Sequence, residues 1–374
     1  MVFLLVASFP SSLLVFRGAL LKELNDRGVG IHVAAPGLRE DTALCEELES
    51  LGYQAHDIPL SRVGMNPLAD GRTLWHLWRL MRKVKPDTVL AYTIKPVIYG
   101  LLAARLAGIG KRFALITGLG YSFQEPNYSS KARVLLRLLV QRLYAFSLRG
   151  ASNVFFQNPD DRQLFRERGL ISRDANSVVV NGSGVDISKF NVVPLPAQMT
   201  FLLIARLLGD KGVREYAAAA QRVRAANPNV AFNLVGWIDD NPDAIDKAEL
   251  DTWISDGTLN YLGRMGDVRP AIAASSVYVL PSYREGTPRT VLEAMAMGRP
   301  IITTNAPGCR ETVQDGLNGY LVAVKSVDEL ASAMLHFVNT PERVKSMGQA
   351  ARELAVEKYD VDKVNQMMLR EMHI

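Results

Sequence analysis

Residues 277–298, VYVLPSYREGTPRTVLEAMAMG, pass from a short apolar run through a polar turn into a helical pattern. The apolar run is typical of a buried strand, and the turn that follows contains proline and glycine. We expect Thr287 as the N-cap of the helix and Pro288 as its first residue, because proline lacks the amide hydrogen that would be unpaired there. The amides of Arg289 and Thr290, together with the positive end of the helix dipole, then attract a phosphate. The stretch therefore predicts a strand, a turn and a helix with an anion site built by backbone.

The same alternation of strand and helix continues on both sides of this stretch. Apolar or β-branched runs separated by helix-length segments predict βαβ units and a parallel sheet, with right-handed crossovers that place helices on both faces. The predicted fold class is α/β, with two doubly wound, Rossmann-like domains. The runs lie at 2–7, 31–35, 88–91, 113–117, 153–157 and 177–180 in the first half, and at 199–205, 231–235, 259–262, 277–280, 300–303 and 320–322 in the second.

The length of 374 residues also fits two domains, since a single hydrophobic core rarely grows beyond about 250–300 residues. We predict a first domain at 1–182, a glycine- and proline-rich hinge at 183–198 and a second domain at 199–356. Residues 357–374 are predicted as a terminal helix that packs back toward the first domain. Two such domains leave a cleft where the carboxyl ends of their sheets face each other, and we expect the ligand there.

Composition and charge narrow the class of protein further. Hydrophobic residues make up 48% and charged residues 22%, as in an ordinary globular protein. Cys45 and Cys309 lie far apart and the five histidines are scattered, so neither a disulfide framework nor a metal site is predicted. Residues 1–190 contain 24 lysines and arginines against 16 acidic residues, whereas residues 191–374 contain 19 against 22. We therefore expect the basic first half to meet an anionic partner, such as a lipid surface, a diphosphate or a nucleic acid.

Four charged residues lie in the turns that follow predicted strands or in the helix after such a turn. Glu285 lies in the turn before the helix and Glu293 lies within it, and a carboxylate can accept hydrogen bonds from a ribose diol or a sugar ring. Arg206 and Lys211 flank a tight turn, where two cations can stabilise the charge on a departing diphosphate. Each residue also has an ordinary alternative, because glutamates are common near helix starts and basic residues are common in surface loops.

Taken together, these elements resemble glycosyltransferase family 4, whose members are retaining enzymes with the GT-B architecture of two facing α/β domains. The resemblance covers almost the whole chain and is most specific at Glu285, at Glu293 and at the residues AMAMGRPI that follow. It implies that the second domain binds the nucleotide sugar, that no cofactor or divalent metal is required, and that Glu285, Arg206 and Lys211 are catalytic. Glu293 is implied to hold the ribose hydroxyls and Glu285 the transferred sugar. The implied donor site comprises Arg206, Lys211, Glu285, Gly286, Thr287, Arg289, Thr290 and Glu293.

Within that family the chain is similar to bacterial enzymes that extend a sugar attached to undecaprenyl diphosphate. The similarity implies that a hexose or N-acetylhexosamine, with N-acetylgalactosamine the first candidate, moves from a UDP-sugar to a polyprenyl-diphosphate-linked sugar in bacterial glycan assembly. A retaining glycosyltransferase with a soluble or other lipid acceptor and a noncatalytic two-domain sugar-binding protein are the alternatives. The residues that carry the similarity are Phe9-Pro10, Phe16-Arg17-Gly18, Thr93-Ile94-Lys95-Pro96, Thr117-Gly118-Leu119-Gly120 and Glu285-Gly286-Thr287-Pro288-Arg289.

The first domain departs from the family pattern at two places. Many members have a paired-glycine loop after the first strand, where this chain has the sequence SFPSS at residues 8–12. Many also have a histidine near the fourth strand, where this chain has Thr93 and Lys95. The resemblance therefore assigns Thr93 and Lys95 to acceptor binding, with Lys95 facing the acceptor diphosphate, and it assigns no histidine as a catalytic base.

Two basic helical segments point to a membrane surface. Residues 131–149 carry five cations and no acid, and residues 72–83 combine basic residues with Trp75 and Trp78. No stretch approaches the roughly 20 apolar residues that a spanning helix needs. We expect a cytoplasmic protein that associates peripherally with the inner membrane and binds no nucleic acid. The ordinary alternative is that both segments are core-packed helices with basic outer faces.

Overall fold

The computed structural model describes residues 1–61, 66–119, 131–239 and 241–374, with the backbone alone for 131–137. The chain forms two compact units. Met1–Ser183 and Val364–Ile374 make up the first unit, and Gly184–Lys363 makes up the second. Gly120, within one of the family motifs, and the side chains of Lys131, Arg133 and Arg137, within the first basic segment, lie outside the described residues.

The first unit is built on one parallel sheet. Its strands are β1 Val2–Val6, β2 Gly30–Ala35, β3 Gln54–Asp57, β4 Thr88–Tyr92, β5 Lys111–Ile116, β6 Asn153–Phe156 and β7 Ser177–Val179. In the described part of this unit the spatial order is β3-β2-β1-β4-β5-β6-β7, and all neighbours are parallel. Its helices are α1 Ser12–Asp26, α2 Thr42–Ser50, α3 Pro67–Val84, α4 Leu101–Leu106, α5 Lys131–Leu148 and α6 Pro159–Glu167, and a π-helical turn at Pro96–Gly100 leads into α4.

The second unit repeats this plan with a parallel sheet of its own. Its strands are β8 Thr200–Ile204, β9 Ala231–Val235, β10 Asn260–Tyr261, β11 Val277–Leu280, β12 Ile301–Thr304 and β13 Gly319–Val322. Among the residues described here the order is β10-β9-β8-β11-β12-β13, again parallel throughout. The helices are α7 Val213–Ala226, α8 Lys247–Ser255, α9 Arg269–Ala273, α10 Arg289–Ala296, α11 Val327–Asn339, α12 Glu342–Lys358 and α13 Val361–Met372, and short 3-10 turns lie at Gly209–Lys211 and Arg310–Thr312.

Both sheets are covered by helices on each face. The central strands β4, β8, β11 and β12 are buried at every residue, and each sheet separates two apolar clusters. Continuous apolar runs of this kind follow from burial on both sides, because neither set of alternating side chains meets water. The prediction of an α/β protein with two doubly wound sheets is confirmed.

One strand, β3, was not predicted. β3 reads Gln-Ala-His-Asp, and none of its four residues is fully buried. It lies at the edge of the first sheet and pairs only with β2 among the described strands. An edge strand needs less apolar surface than a central one, so the sequence carries no apolar run at this position.

The stretch predicted as a hinge, 183–198, belongs to the second unit from Gly184 onward. Gly184 has a φ of 69°, and a Cβ at this position would lie only 2.6 Å from the Cα atom of Val361, so glycine is required. The amide of Val185 donates to the carbonyl of Tyr359 at 2.8 Å, and the amide of Val361 donates to the carbonyl of Val185 at 3.0 Å. These contacts hold the start of the stretch against the residues at the beginning of α13.

Helix α13 starts in the second unit, but from Val364 it belongs to the first. Met368, Leu369 and Met372 are at most 1% exposed and join the apolar cluster that also contains Phe3. The carboxyl end of the chain therefore completes the core of the first unit.

Arg299 fixes the far end of the same stretch. Its guanidinium group is 1% exposed and donates five hydrogen bonds, all to backbone carbonyls, so each of its five donors is used. Burial lowers the pKa of Arg299 to about 10. Arg352 donates to three more carbonyls in the same way. The carbonyls bound by Arg299 are those of Val193, Pro194, Ile272, Ala273 and Met297.

We predict that Arg299→Lys lowers the free energy of unfolding of the second unit by about 3 kcal/mol, because lysine leaves several buried carbonyls unpaired. The matched control is Arg343→Lys, which affects one exposed hydrogen bond to the hydroxyl of Tyr320 and should change stability by less than about 0.5 kcal/mol. Urea unfolding followed by circular dichroism measures both values. Equal stability of the two variants would show that the carbonyl contacts of Arg299 add nothing.

Candidate functional site

The first part of the candidate site is the turn between β8 and α7. It passes through the 3-10 turn Gly209–Lys211 to Gly212, whose φ of 72° lies in the left-handed region. A Cβ on Gly212 would lie 2.2 Å from the carbonyl oxygen of Pro281, so only glycine lets the two loops approach so closely. The turn therefore carries Lys211 directly beside the loop that follows β11.

The second part is that loop, residues 281–288. The amide of Tyr283 donates to the carbonyl of Asp210 at 2.8 Å, and the amide of Glu285 donates to the carbonyl of Pro307 at 2.9 Å. A Cβ on Gly308 would lie 2.1 Å from the carbonyl oxygen of Glu285. Backbone contacts on both sides thus set the position from which the side chain of Glu285 projects.

Lys211 and Glu285 form an ion pair in this setting. Lys211 Nζ donates to Glu285 Oε1 at 2.6 Å, and the two side chains are only 16% and 17% exposed. Burial alone would lower the pKa of Lys211, but the carboxylates of Glu285 and Asp210 outweigh it, so the pKa is raised. Lys211 therefore remains a cation, held in place by the carboxylate of Glu285.

Other charges surround this pair. Arg206 Nη1 donates to Asp239 Oδ2 at 3.0 Å, and its side chain is 40% exposed. Burial raises the pKa of Asp210, and the carboxylates of Glu285 and Asp243 raise it further. The cations Lys211 and Arg206 oppose this rise. Within the described residues, Asp210 Oδ1 is buried and has no hydrogen-bond partner. Arg206, Asp210, Lys211 and Glu285 thus act on one another as a single charged cluster.

The helix after the loop begins one residue later than predicted. Pro288 has a ψ of 110° and is the N-cap, so Arg289 and not Pro288 is the first residue of α10, and Thr287 precedes the cap. The extended backbone at Pro288 is the reason, because a helical first residue would need a negative ψ. The amides of Val291 and Leu292 donate to the carbonyl of Pro288 and start the helical ladder.

Glu293 lies one turn into α10 and is 6% exposed. Arg289 Nε donates to Glu293 Oε1 at 2.8 Å. The two residues are four positions apart, as expected for neighbours on one face of a helix. Burial raises the pKa of Glu293, although the neighbouring Arg289 opposes the rise. Arg289 thus contributes a side chain to the site as well as the backbone amide that was predicted.

Thr290 points away from the loop and toward the strands. The hydroxyl of Tyr278 lies 2.6 Å from Thr290 Oγ1 and 3.1 Å from the carbonyl oxygen of Ile204, and its single hydrogen can be donated to one of these two acceptors. Tyr278 is fully buried, and burial raises the pKa of its hydroxyl, with the charges of Glu293 and Glu285 adding to the rise. Of Thr290, only the backbone amide remains in the predicted phosphate-binding role.

The two predicted acceptor residues lie in the first unit, at the end of β4. Lys95 Nζ donates to Asp70 Oδ1 at 3.0 Å, with the side chains 14% and 8% exposed, so the charge of Lys95 is already balanced. Thr93 has a φ of 70°, which is unusual for a β-branched residue. Its hydroxyl is buried and has no hydrogen-bond partner in the part of the chain that is described.

Sequence reasoning missed several residues of these two clusters. Asp210 stands next to Lys211 in the sequence but carried no signal of its own, and Asp239 lies 33 residues after Arg206. Asp70 is separated from Lys95 by 25 residues. The pairing of β8 with β9 brings Asp239 to Arg206, and the packing of α3 beside the segment after β4 brings Asp70 to Lys95.

We predict that the buried pair Lys211–Glu285 is strongly coupled. Lys211→Met should lower the free energy of unfolding of the second unit by about 2–4 kcal/mol, because Glu285 is left without its cation, and Glu285→Gln should restore part of that loss. The exposed pair Lys247–Asp251 in α8 is the control, and its cycle should give less than about 0.5 kcal/mol. Urea unfolding of both double-mutant cycles measures the two coupling energies. A coupling no larger than that of the control would contradict the burial argument.

Comparison with known proteins identifies the family. Residues 198–340 match the family described as glycosyl transferases group 1, and residues 2–158 match the family described as glycosyl transferase 4-like. A relative in Campylobacter jejuni, N,N'-diacetylbacillosaminyl-diphospho-undecaprenol alpha-1,3-N-acetylgalactosaminyltransferase, is 26% identical over 96% of this chain and 95% of its own. The UDP-Gal:alpha-D-GlcNAc-diphosphoundecaprenol alpha-1,3-galactosyltransferase of Escherichia coli is also 26% identical, over 87% of this chain and 84% of its own.

Solved structures agree on the fold. HepE of Anabaena, crystallised with UDP, is 20% identical and superposes with a TM-score of 0.77 over 100% of this chain and 99% of its own. Sucrose-phosphate synthase of Thermosynechococcus elongatus is 17% identical, with a TM-score of 0.81 over 99% and 98%. The predicted resemblance and the GT-B fold are confirmed. The chain belongs to the group 1 and 4-like glycosyl transferases, and it is a glycosyltransferase.

Proposed function

We propose that this glycosyltransferase moves a hexose or N-acetylhexosamine, with N-acetylgalactosamine the first candidate, from a UDP-sugar to a sugar on undecaprenyl diphosphate. The anomeric configuration is retained. The observation that carries the proposal is the Lys211–Glu285 pair, a protonated lysine held 2.6 Å from a carboxylate beside the start of α10. The names of the two 26% identical relatives, which specify undecaprenyl-diphosphate acceptors, support the choice of acceptor.

The donor diphosphate binds where the cations are. Lys211 leaves Glu285 for a phosphate oxygen, since a dianionic diphosphate attracts it more strongly than one carboxylate does. Arg206 is 40% exposed and follows Lys211 onto the same group. The first amides of α10 and the positive end of its dipole complete the anion site.

These groups act most strongly as the bond to the sugar breaks. Negative charge then grows on the departing diphosphate, and fixed cations lower the barrier because they need no reorganisation. The same two cations and the helix start take the place that a divalent metal has in other transferases, so no metal is required. Once Lys211 has moved to the diphosphate, Glu285 accepts hydrogen bonds from hydroxyls of the transferred sugar.

Glu293 holds the nucleotide. Its carboxylate is fixed by Arg289 and accepts hydrogen bonds from the ribose hydroxyls. Gly286 and Thr287 offer backbone amides to the phosphates from the loop that precedes α10. In the first unit, Thr93 and Lys95 receive the acceptor, with the buried hydroxyl of Thr93 as a hydrogen-bonding group and Lys95 as a cation that Asp70 positions.

A lipid-linked acceptor requires access to a membrane surface. None of the helices in the described part of the chain has the length and hydropathy to cross a membrane. Helix α5 exposes about half of the side chains of Leu138, Leu139 and Phe146, and Arg105 lies over the ring of Phe146 at 5.5 Å. We propose that this surface places the protein peripherally on the cytoplasmic face of the inner membrane, with no nucleic acid as partner.

We predict transfer from UDP-N-acetylgalactosamine to a synthetic undecaprenyl-diphosphate-linked sugar, with retention visible by proton NMR and less than about a twofold change on adding EDTA, because fixed cations stabilise the leaving group. Lys211→Met should lower kcat about 100- to 1,000-fold, since Lys211 meets charge that develops in the transition state. Glu293→Gln should mainly raise KM for the donor.

The control for that experiment is Lys247→Met, which removes an exposed lysine of α8 and should leave kcat unchanged. UDP-N-acetylglucosamine, UDP-glucose, UDP-galactose and GDP-mannose are compared as donors to identify the sugar and the nucleotide. Transfer to a soluble sugar at the same rate would overturn the lipid acceptor, and loss of activity in EDTA that magnesium restores would overturn metal independence.

We predict that Leu139→Ser combined with Phe146→Ser reduces cosedimentation with phosphatidylglycerol vesicles about tenfold, because each change removes apolar area that would enter the bilayer interface. Ile254→Ser, at a 41% exposed position of α8, is the control. Equal binding by wild type, double variant and control would exclude the α5 surface as the membrane contact.

A further inference from the structure

The first unit contains a cavity of about 300 Å³ beside the edge strand β3. We call it the β3 pocket and define it by Arg39, His56, Asp57, His76, Arg79 and Lys83. It lies between the residues after β2, the strand β3 and one face of α3. None of these residues belongs to the donor or acceptor residues assigned above.

The sequence places three of these residues on one face of a helix. His76, Arg79 and Lys83 follow one another at spacings of three and four, so they form a single row along α3. Arg39 approaches from the segment after β2 and completes a basic wall. The same row explains why this basic segment also resembled a membrane-binding helix.

The charges of the pocket are not balanced. Arg39, Arg79 and Lys83 are exposed and form no ion pair with any described residue, and Asp57 is the one carboxylate in the lining. Asp57 Oδ1 already accepts the amide of Leu38 at 3.0 Å. The lining thus combines three basic side chains with one carboxylate, and that carboxylate already accepts a hydrogen bond. The net charge of the cavity is positive, which favours an anion.

Two of the basic groups are held in position by other residues of α3. The guanidinium of Arg79 lies over the ring of Trp75 at 5.4 Å, and His76 Nδ1 contacts the carbonyl of Arg72 at 2.9 Å. A site whose groups are already ordered loses less entropy on binding than a mobile one. The pocket is therefore preorganised on its α3 side.

His56 adds a neutral hydrogen-bonding group. Burial, His32 and Lys83 lower the pKa of His56 to about 4, so the ring is uncharged near neutral pH. Its ring is parallel to that of His32, with the ring centroids 5.1 Å apart, and His56 Nε2 lies 2.8 Å from His32 Nδ1, so the two rings meet edge to edge. When His32 donates across this contact, the hydrogen of His56 lies on Nδ1 and can be donated to an anion.

We propose that the β3 pocket binds the phosphate group of a small phosphorylated molecule, as a second anion site independent of sugar transfer. Two arginines and a lysine match phosphate oxygens, because each guanidinium presents parallel N–H donors to two of them. A volume of about 300 Å³ holds one phosphate with a group of the size of a sugar. The phosphate belongs either to a soluble ester or to a lipid headgroup.

Cys45 allows this site to be tested separately from the donor site. It also lines the pocket and is partly buried, with its thiol donating to the carbonyl of Leu38 at 2.9 Å, whereas Cys309 is fully buried. The rate of Cys45 alkylation, followed by mass spectrometry on the full chain, therefore reports occupancy of the β3 pocket alone. The probes are inorganic phosphate, glucose 6-phosphate and phosphatidylglycerol vesicles, each against sodium chloride or neutral vesicles at equal ionic strength.

We expect a phosphate probe to slow Cys45 alkylation with an apparent Kd below about 10 mM, and Arg79→Gln with Lys83→Met to weaken it at least about tenfold, because two charge-assisted contacts are lost. Arg72→Gln with Arg82→Met removes the same charge from exposed positions of α3 outside the pocket and should change the Kd less than about twofold. Protection by the soluble probes assigns a soluble ester, and protection by vesicles alone assigns a lipid headgroup.

Either assignment supports the proposal. No protection by any probe, or equal loss in both double variants, would overturn it. Thermal unfolding of the variants, monitored in parallel, ensures that any weakening arises in a folded protein. Failure of this test would leave the proposed transfer reaction untouched, since that reaction depends on residues of other clusters.

Discussion

The site of the second unit depends on how closely three backbone segments approach one another. At Gly212 and Gly308 a Cβ atom would lie 2.2 and 2.1 Å from the carbonyl oxygens of Pro281 and Glu285, far inside van der Waals contact. The loop after β11 can therefore lie between its neighbours only if both positions are glycine. This close approach brings Lys211 and Glu285 within hydrogen-bonding distance, and the partly buried charges follow from it.

In the proposed reaction, charged residues of this cluster exchange their protein partners for groups of the substrate. Lys211 has a carboxylate partner, Glu293 has an arginine partner, and Asp210 holds a buried oxygen without a hydrogen bond among the described residues. An ion pair with little exposure adds little net stability to the fold, because the attraction between its charges is nearly cancelled by the cost of removing both from water. In the proposed reaction, the cost of separating Lys211 from Glu285 is offset because the diphosphate takes over Lys211 and Glu285 gains hydroxyl donors in return.

The sequence was sufficient for the two sheets and for the residues adjacent to strand ends. Apolar runs such as Val277–Leu280 reveal central strands because burial on both faces leaves no alternation to misread. The same logic fails at β3, where an edge strand is polar, and at Pro288, where the backbone dihedral decides whether proline caps or starts the helix. Asp239 and Asp70 were not predicted, since the first meets Arg206 only through the pairing of β8 with β9 and the second meets Lys95 only through the packing of α3 beside the segment after β4.

The shared helix α13 has a consequence for how this enzyme can be divided. The boundary between the units falls at Lys363–Val364, inside the helix Val361–Met372. A fragment ending at Ser183 would lack the buried Met368, Leu369 and Met372 and would present an open apolar surface to water. A gene fusion or an exchange of halves between related enzymes must therefore transfer the last eleven residues together with the first half. These residues complete the fold of the amino-terminal unit although they are last in the sequence.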